Sequence, residues 1–124
     1  MNKTHLVINE QALKANYELI RSKLDDGCKV IGVVKANAYG TDAVSVAQQL
    51  ITFGVDHLAV AYIDEGIQLR NAGISKPILV FYPQMDNFKA LIDHQLTPSI
   101  YSFKALAAFK DVINKAGSTA FPVH

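Results

Sequence analysis

The sequence has one cysteine, four prolines and no tryptophan, and its charges nearly cancel: 12 Lys and Arg against 11 Asp and Glu leave a formal net charge of +1. Each shortage excludes something. A lone Cys28 forbids an internal disulfide, and a buried, reduced thiol at the start of an apolar strand is the expectation. Balanced charge gives no electrostatic footprint for nucleic acid or an anionic membrane. No apolar run approaches the roughly 20 residues needed to span a bilayer. Polar residues in MNKTHLVINEQAL interrupt the apolar core that a signal peptide requires, so a cytoplasmic location is expected. His5, His57, His94 and His124 show no metal-ligand spacing, and no metal is expected. Neither a dinucleotide-binding glycine motif, nor a Walker loop, nor a nucleophile elbow is present.

What remains is an ordinary core-forming composition. Half of the 124 residues are hydrophobic and 19% are charged, as in a folded domain. Thr4–Ile8 is β-prone, and Asn9 offers a helix N-cap. Leu13, Tyr17, Ile20 and Leu24 recur at helical spacing, which predicts a helix from Gln11 to about Leu24, closed by Asp25-Asp26-Gly27. Strand and helix patterns then alternate. Strands are expected at Lys29–Val34, His57–Val60, Ile78–Phe81 and Thr97–Tyr101, and Phe121–His124 opens another. Helices are expected at Ala43–Ile51, Asp64–Asn71, Phe88–His94 and Phe103–Lys115. Asp64 and Glu65 suit the positive end of a helix dipole and receive no catalytic role. Arg70 is expected on a solvated helix face.

Short strands that are apolar throughout imply a parallel α/β sheet covered by helices on both sides. Their return every 20 to 25 residues fits a (β/α)8 barrel of the TIM type better than a doubly wound sheet. Such a barrel takes about 250 residues. The chain is therefore expected to hold about the first half: residues 1–10 as a strand leading in, and 11–124 as about four β/α units. The rest of the barrel is expected to lie elsewhere, or a partner to close the sheet.

The segment VIGVVKANAYG carries the chemistry. Lys35 ends an apolar strand, and the carboxyl ends of strands are where α/β folds gather reactive groups. Desolvation by Val33 and Val34 favours a neutral amine, which can attack a carbonyl to form a Schiff base. Ala36 and Ala38 leave room for a flat cofactor, the Tyr39 hydroxyl can reach a phosphate oxygen, and Gly40 permits a tight entry into the next helix. On position alone, a solvated lysine capping a strand is the competing reading.

The string VVKANAYG resembles the pyridoxal-phosphate attachment motif of alanine racemases. FGVDHLAVAYIDEGIQLRNAGISKPILVF is similar to the second and third barrel units of that family, and THLVINEQALKANYELIRSKL to its N-terminal strand and first helix. AYIDEG and YSFKAL are most similar to a bacterial subgroup in which the racemase can be fused behind a peptidoglycan-precursor ligase. The resemblance implies that Lys35 holds pyridoxal 5'-phosphate as an internal aldimine and then serves as one of two bases interconverting L- and D-alanine. It further implies that Tyr39 contacts the cofactor phosphate and that Phe81 lines the cofactor pocket. A cytoplasmic homodimer supplying D-alanine for peptidoglycan follows from the same source.

Two positions depart from the family pattern: Thr41 stands where histidine is frequent, and Asp42 where glycine is usual. Asp42 can cap the next helix, or its carboxylate can weaken a phosphate site. The family's second base, its arginine facing the pyridine nitrogen and its C-terminal β-domain find no counterpart in these residues. The 124 residues alone are therefore expected to lack racemase activity. The alternatives are a pyridoxal-phosphate-binding protein or amino-acid decarboxylase on the same barrel, or a non-catalytic scaffold remnant.

Overall fold

The computed structural model describes residues 4–118 and 120–124. Helix α1 (Glu10–Arg21) starts where Asn9 Oδ1 accepts the Ala12 N–H at 3.0 Å, and it buries only Tyr17, whose ring meets Phe53 at 6.0 Å. Strand β1 (Ile31–Val33) follows, then a single left-handed turn, α2 (Lys35–Gly40). Helix α3 (Ala43–Phe53) is capped by the Asp42 side chain and stopped by Gly54 at φ 103, a backbone region that glycine alone enters without strain. Strand β2 (His57–Val60), helix α4 (Ile63–Asn71) and strand β3 (Ile78–Val80) complete the next unit. A 3-10 turn (Met85–Asn87), helix α5 (Phe88–Asp93), strand β4 (Thr97–Pro98) and helix α6 (Phe103–Lys115) end the order.

All strand pairs are parallel, in the order β1-β2-β3-β4, with Val33 opposite Ala59 and Val60 opposite Val80. Sequential order without reversal is barrel-type winding, and excludes a switch point between these strands. The helices pack in series, α1 on α3, α3 on α4, α4 on α5 and α5 on α6. They form one layer on one face of the sheet. This corrects the expectation of helices on both faces: in a barrel the second face is the interior.

Period-2 alternation sorts the strand residues between these faces. Leu58, Val60, Ile78 and Val80 are fully buried under the helices. Phe109 on α6 meets Phe88 on α5 edge-on at 5.0 Å, and Phe121 at 5.7 Å. Ile31 and Val33 point the other way and are exposed. Gly66 lets α4 approach the buried Leu96, because a Cβ there would stand 2.8 Å from Leu96 Cδ1.

The differences from expectation lie at edges. Thr4–Ile8 forms no strand, since none of the described residues offers it a partner ladder. Strand β4 stops at Pro98, short of Tyr101. Phe121–His124 is not a regular strand, yet it has begun one. His124 donates to Pro98 O at 2.9 Å and accepts from Ile100 N at 2.7 Å, the two-sided bonding of a parallel ladder.

Two side chains expected in bland roles have others. Cys28 is exposed, on a loop held by Arg21, whose guanidinium donates to the carbonyls of Cys28, Asp25 and Asp26. Arg70 is half-buried and clamps four carbonyls, those of Ile74, Lys76, His94 and Gln95, at 2.7 to 3.0 Å. Burial pushes its pKa below the usual arginine value. A fork of five donors satisfies loop carbonyls that no helix or strand can reach.

Candidate functional site at the carboxyl edge of the sheet

The carboxyl ends of the four strands form one edge. Val34 N–H donates to Ala59 O at 2.9 Å, Phe81 N–H to Val60 O at 3.0 Å, and Ser99 N–H to Val80 O at 2.9 Å. The ladder therefore brings Lys35 and Phe81 to the same rim, with the end of β2 between them. Lys35 is half-buried, and its amine has no carboxylate partner among the described residues. Of the two valines expected to desolvate it, Val34 is buried and Val33 is exposed on the interior face.

Directly after Lys35 the backbone turns left-handed. Ala36, Asn37, Ala38 and Tyr39 have φ between 51 and 59, and Gly40 has φ 86. Non-glycine residues enter this region at a cost of about 1–2 kcal/mol each, and consecutive ones are rare. Strain on this scale persists only where the surroundings over-determine it, and such places cluster at ligand sites.

Here the restraints can be named. Ala38 N–H reaches Val34 O at 3.0 Å, and Thr41 N–H reaches Asn37 O at 3.0 Å. The Thr41 hydroxyl donates to Ala38 O at 2.7 Å, and Asn37 Oδ1 accepts from Ala43 N at 2.9 Å. Asp42 Oδ1 accepts from Val44 N at 3.2 Å and starts α3. Both departures from the family pattern, Thr41 and Asp42, thus have local structural work: one closes the turn, the other caps the helix.

Tyr39 is exposed. It lies on the wall of a groove of about 570 Å³ between α1 and the free side of β1, together with Leu13, Tyr17, Val33 and Ala38. Among the described residues no hydrogen bond joins it to Lys35, and Phe81 stands two strands away. The structure gathers Lys35 and Phe81 on one rim and puts Tyr39 on the flank of the turn.

Sequence reasoning missed two features of this rim. The first is Glu65. Its Oε2 accepts the N–H groups of Ala61 (2.7 Å) and Tyr62 (3.0 Å), while its Oε1 accepts the Ala36 N–H at 2.6 Å. A glutamate three residues after an N-cap is a readable signal for the first pair of bonds; nothing local signals the third. The second is how exposed the aromatics here are: the sequence places Tyr82, Tyr101 and Phe103 in the core or in the site wall, and offers no reading of Tyr62. Tyr62 and Tyr82 pair at 6.3 Å at the ends of β2 and β3, and Tyr101 and Phe103 stand clear of the core beyond β4.

Comparison with known proteins fits this geometry. Residues 8–124 match the family described as alanine racemase, N-terminal domain. Alanine racemase 2 of Oceanobacillus iheyensis is 42% identical over 96 residues, which is 77% of this chain and 24% of that protein. The alanine racemase of Synechocystis is 37% identical over 119 residues, 94% of this chain and 32% of its own length. Among solved structures, alanine racemase of Clostridium difficile 630 superposes with a TM-score of 0.84 at 37% identity, covering 89% of this chain and 30% of that one. The E. faecalis enzyme gives 0.86 at 31% identity, covering 94% and 32%. The chain thus spans about a quarter to a third of the length of these relatives.

Proposed function

Because this chain belongs to the alanine racemase N-terminal-domain family, we propose that it is the lysine-bearing part of a pyridoxal-phosphate-dependent enzyme interconverting L- and D-alanine. The observation that carries this reading is Lys35: an amine without a carboxylate partner among the described residues, at the carboxyl edge of a barrel-type sheet, followed at once by a strained, heavily restrained turn. The residues present suit such a cofactor. Ala36 is small and exposed, Val34 and Ala38 on either side of it are apolar and buried, and no acid competes for the amine among the described residues.

When bound, pyridoxal phosphate supplies the electron sink that makes the α-hydrogen of an amino acid removable. The chain's own residues do the rest. Lys35 Nζ is the attachment point and, once released, holds or delivers a proton on one face of the substrate α-carbon. Tyr39 Oη is the phosphate contact, which requires its exposed ring to swing toward the rim. Phe81 forms part of the apolar wall that keeps water from the proton being moved. The opposite face of the substrate requires a second base, and residues 1–124 are not proposed to provide it. A homodimeric, cytoplasmic enzyme supplying D-alanine to peptidoglycan is the setting this reading implies.

Incubating the chain with pyridoxal phosphate, reducing with borohydride and mapping the adduct by mass spectrometry tests the first step. Label concentrated on Lys35 and lost in Lys35→Ala is expected. Label spread evenly over surface lysines would overturn the assignment. With L-alanine added, no racemisation above the Lys35→Ala control is expected from the 124 residues alone.

A further inference from the structure

We infer that Glu65 is a positioning residue for Lys35: its carboxylate is the strut that ties the left-handed turn to the end of β2 and the start of α4. This rests on the reading of Lys35 as the cofactor lysine.

The argument is one of division of labour within a single carboxylate. Capping α4 needs one oxygen, and Oε2 does it alone, taking both Ala61 and Tyr62 N–H. Oε1 is left over for the cap and is instead directed at Ala36 N–H, at 2.6 Å and 29 residues away in sequence. Ala36 is the residue next to Lys35 and the first with a left-handed backbone. The turn's other hydrogen bonds, from Asn37, Ala38 and Thr41, stay within residues 34–43. They shape the turn without fixing it to the neighbouring strand. Among the side-chain hydrogen bonds, the one to Glu65 crosses from the turn to β2 and α4. A charge-assisted bond to an ionised carboxylate is the stronger kind, and a lysine misplaced by about 1 Å can lose 100-fold in rate.

Two variants separate a strut from a simple cap. Glu65→Asp keeps the negative charge and the cap, but is one methylene too short to reach Ala36 as well. Glu65→Gln keeps the length but offers one carbonyl oxygen, and its amide would face an N–H donor on one side. Amide hydrogen exchange of Ala36, Ala61 and Tyr62, thermal midpoint, and the rate of borohydride-fixed pyridoxal-phosphate labelling at Lys35 are measured for each.

A strut predicts that Glu65→Asp speeds Ala36 exchange about tenfold, the equivalent of one lost net hydrogen bond. Glu65→Gln speeds exchange either at Ala36 or at Ala61 and Tyr62, whichever its amide nitrogen faces. In Glu65→Asp, Lys35 labelling slows by a similar factor while other lysines label as before, and Tyr62 protection is retained. Unchanged Ala36 exchange and Lys35 labelling in Glu65→Asp, with only a lowered midpoint, would make Glu65 a helix cap and sink the inference. If Lys35 of the unaltered chain takes no selective label, the cofactor reading fails instead. Ala36 exchange then decides the strut by itself, unchanged exchange in Glu65→Asp overturning it.

Discussion

Asp56 secures the opposite end of β1 from the site. Its Oδ2 accepts the Val30 N–H at 2.7 Å, just before the strand begins. That bond lowers the Asp56 pKa from the ordinary 3.8; desolvation opposes it, and His57, Lys29 and Lys76 assist it. A carboxylate whose folded pKa is depressed adds stability above its unfolded value, and that stability is lost as pH falls through the folded one. Urea unfolding of the chain and of Asp56→Asn, across pH from about 2 to 6, should therefore show a gap in stability that closes on the acid side. A gap of constant size would mean that ionisation of Asp56 is immaterial. At this scale the sequence was uneven. Lys35 could be singled out because a charge ending an apolar strand is a local anomaly. Glu65 and Arg70 could not, because each acts on backbone groups that only the folded loops bring within reach.

Elements whose ends carry strong local chemistry were legible to the residue. His57–Val60 and Phe103–Lys115 begin and end as expected, the latter because Ser102 Oγ accepts the Ala105 N–H at 3.1 Å. The left-handed turn was not legible. Asn37 and Gly40 tolerate its conformation, but alanine and tyrosine do not advertise it. Its cost is imposed by tertiary restraint, which no pattern of side chains displays. This makes Ala36→Gly informative. The position is exposed at φ 51, so glycine relieves steric strain there without opening a cavity. Removing a penalty of about 1–2 kcal/mol, less the extra freedom of the unfolded chain, should stabilise the fold by about 0.5–1 kcal/mol. The expected signature is a higher urea midpoint with an unchanged slope. A lower midpoint would mean that the alanine methyl has a packing role the exposure does not reveal.

For the whole molecule, strand order and the single helical layer decide between the two α/β architectures that periodicity left open. They also leave apolar surface uncovered. Ile31, Val33 and Val123 are exposed on or beside the interior face, and a cleft of about 510 Å³ opens there, lined among others by Ile31, Leu79 and Val123. The outer edge of β1 has no partner strand among the described residues, so its backbone donors and acceptors are free to pair. Unpaired edges beside apolar faces drive association at concentrations from about 1 to 1000 µM. The 124-residue chain by itself should consequently associate, with an apparent mass on sedimentation that rises with concentration. Placing lysines on the interior face, as Ile31→Lys with Val123→Lys, should shift the molecule toward monomer, since a buried amine in the contact has no partner to offset its desolvation. Ile31 is 42% and Val123 49% exposed, so the fold itself should tolerate the change with an unaltered far-UV spectrum. A monomer for the unaltered chain across that range would show that the open sheet is shielded some other way. Unchanged association of the double variant would move the contact off the interior face and onto the groove beside α1.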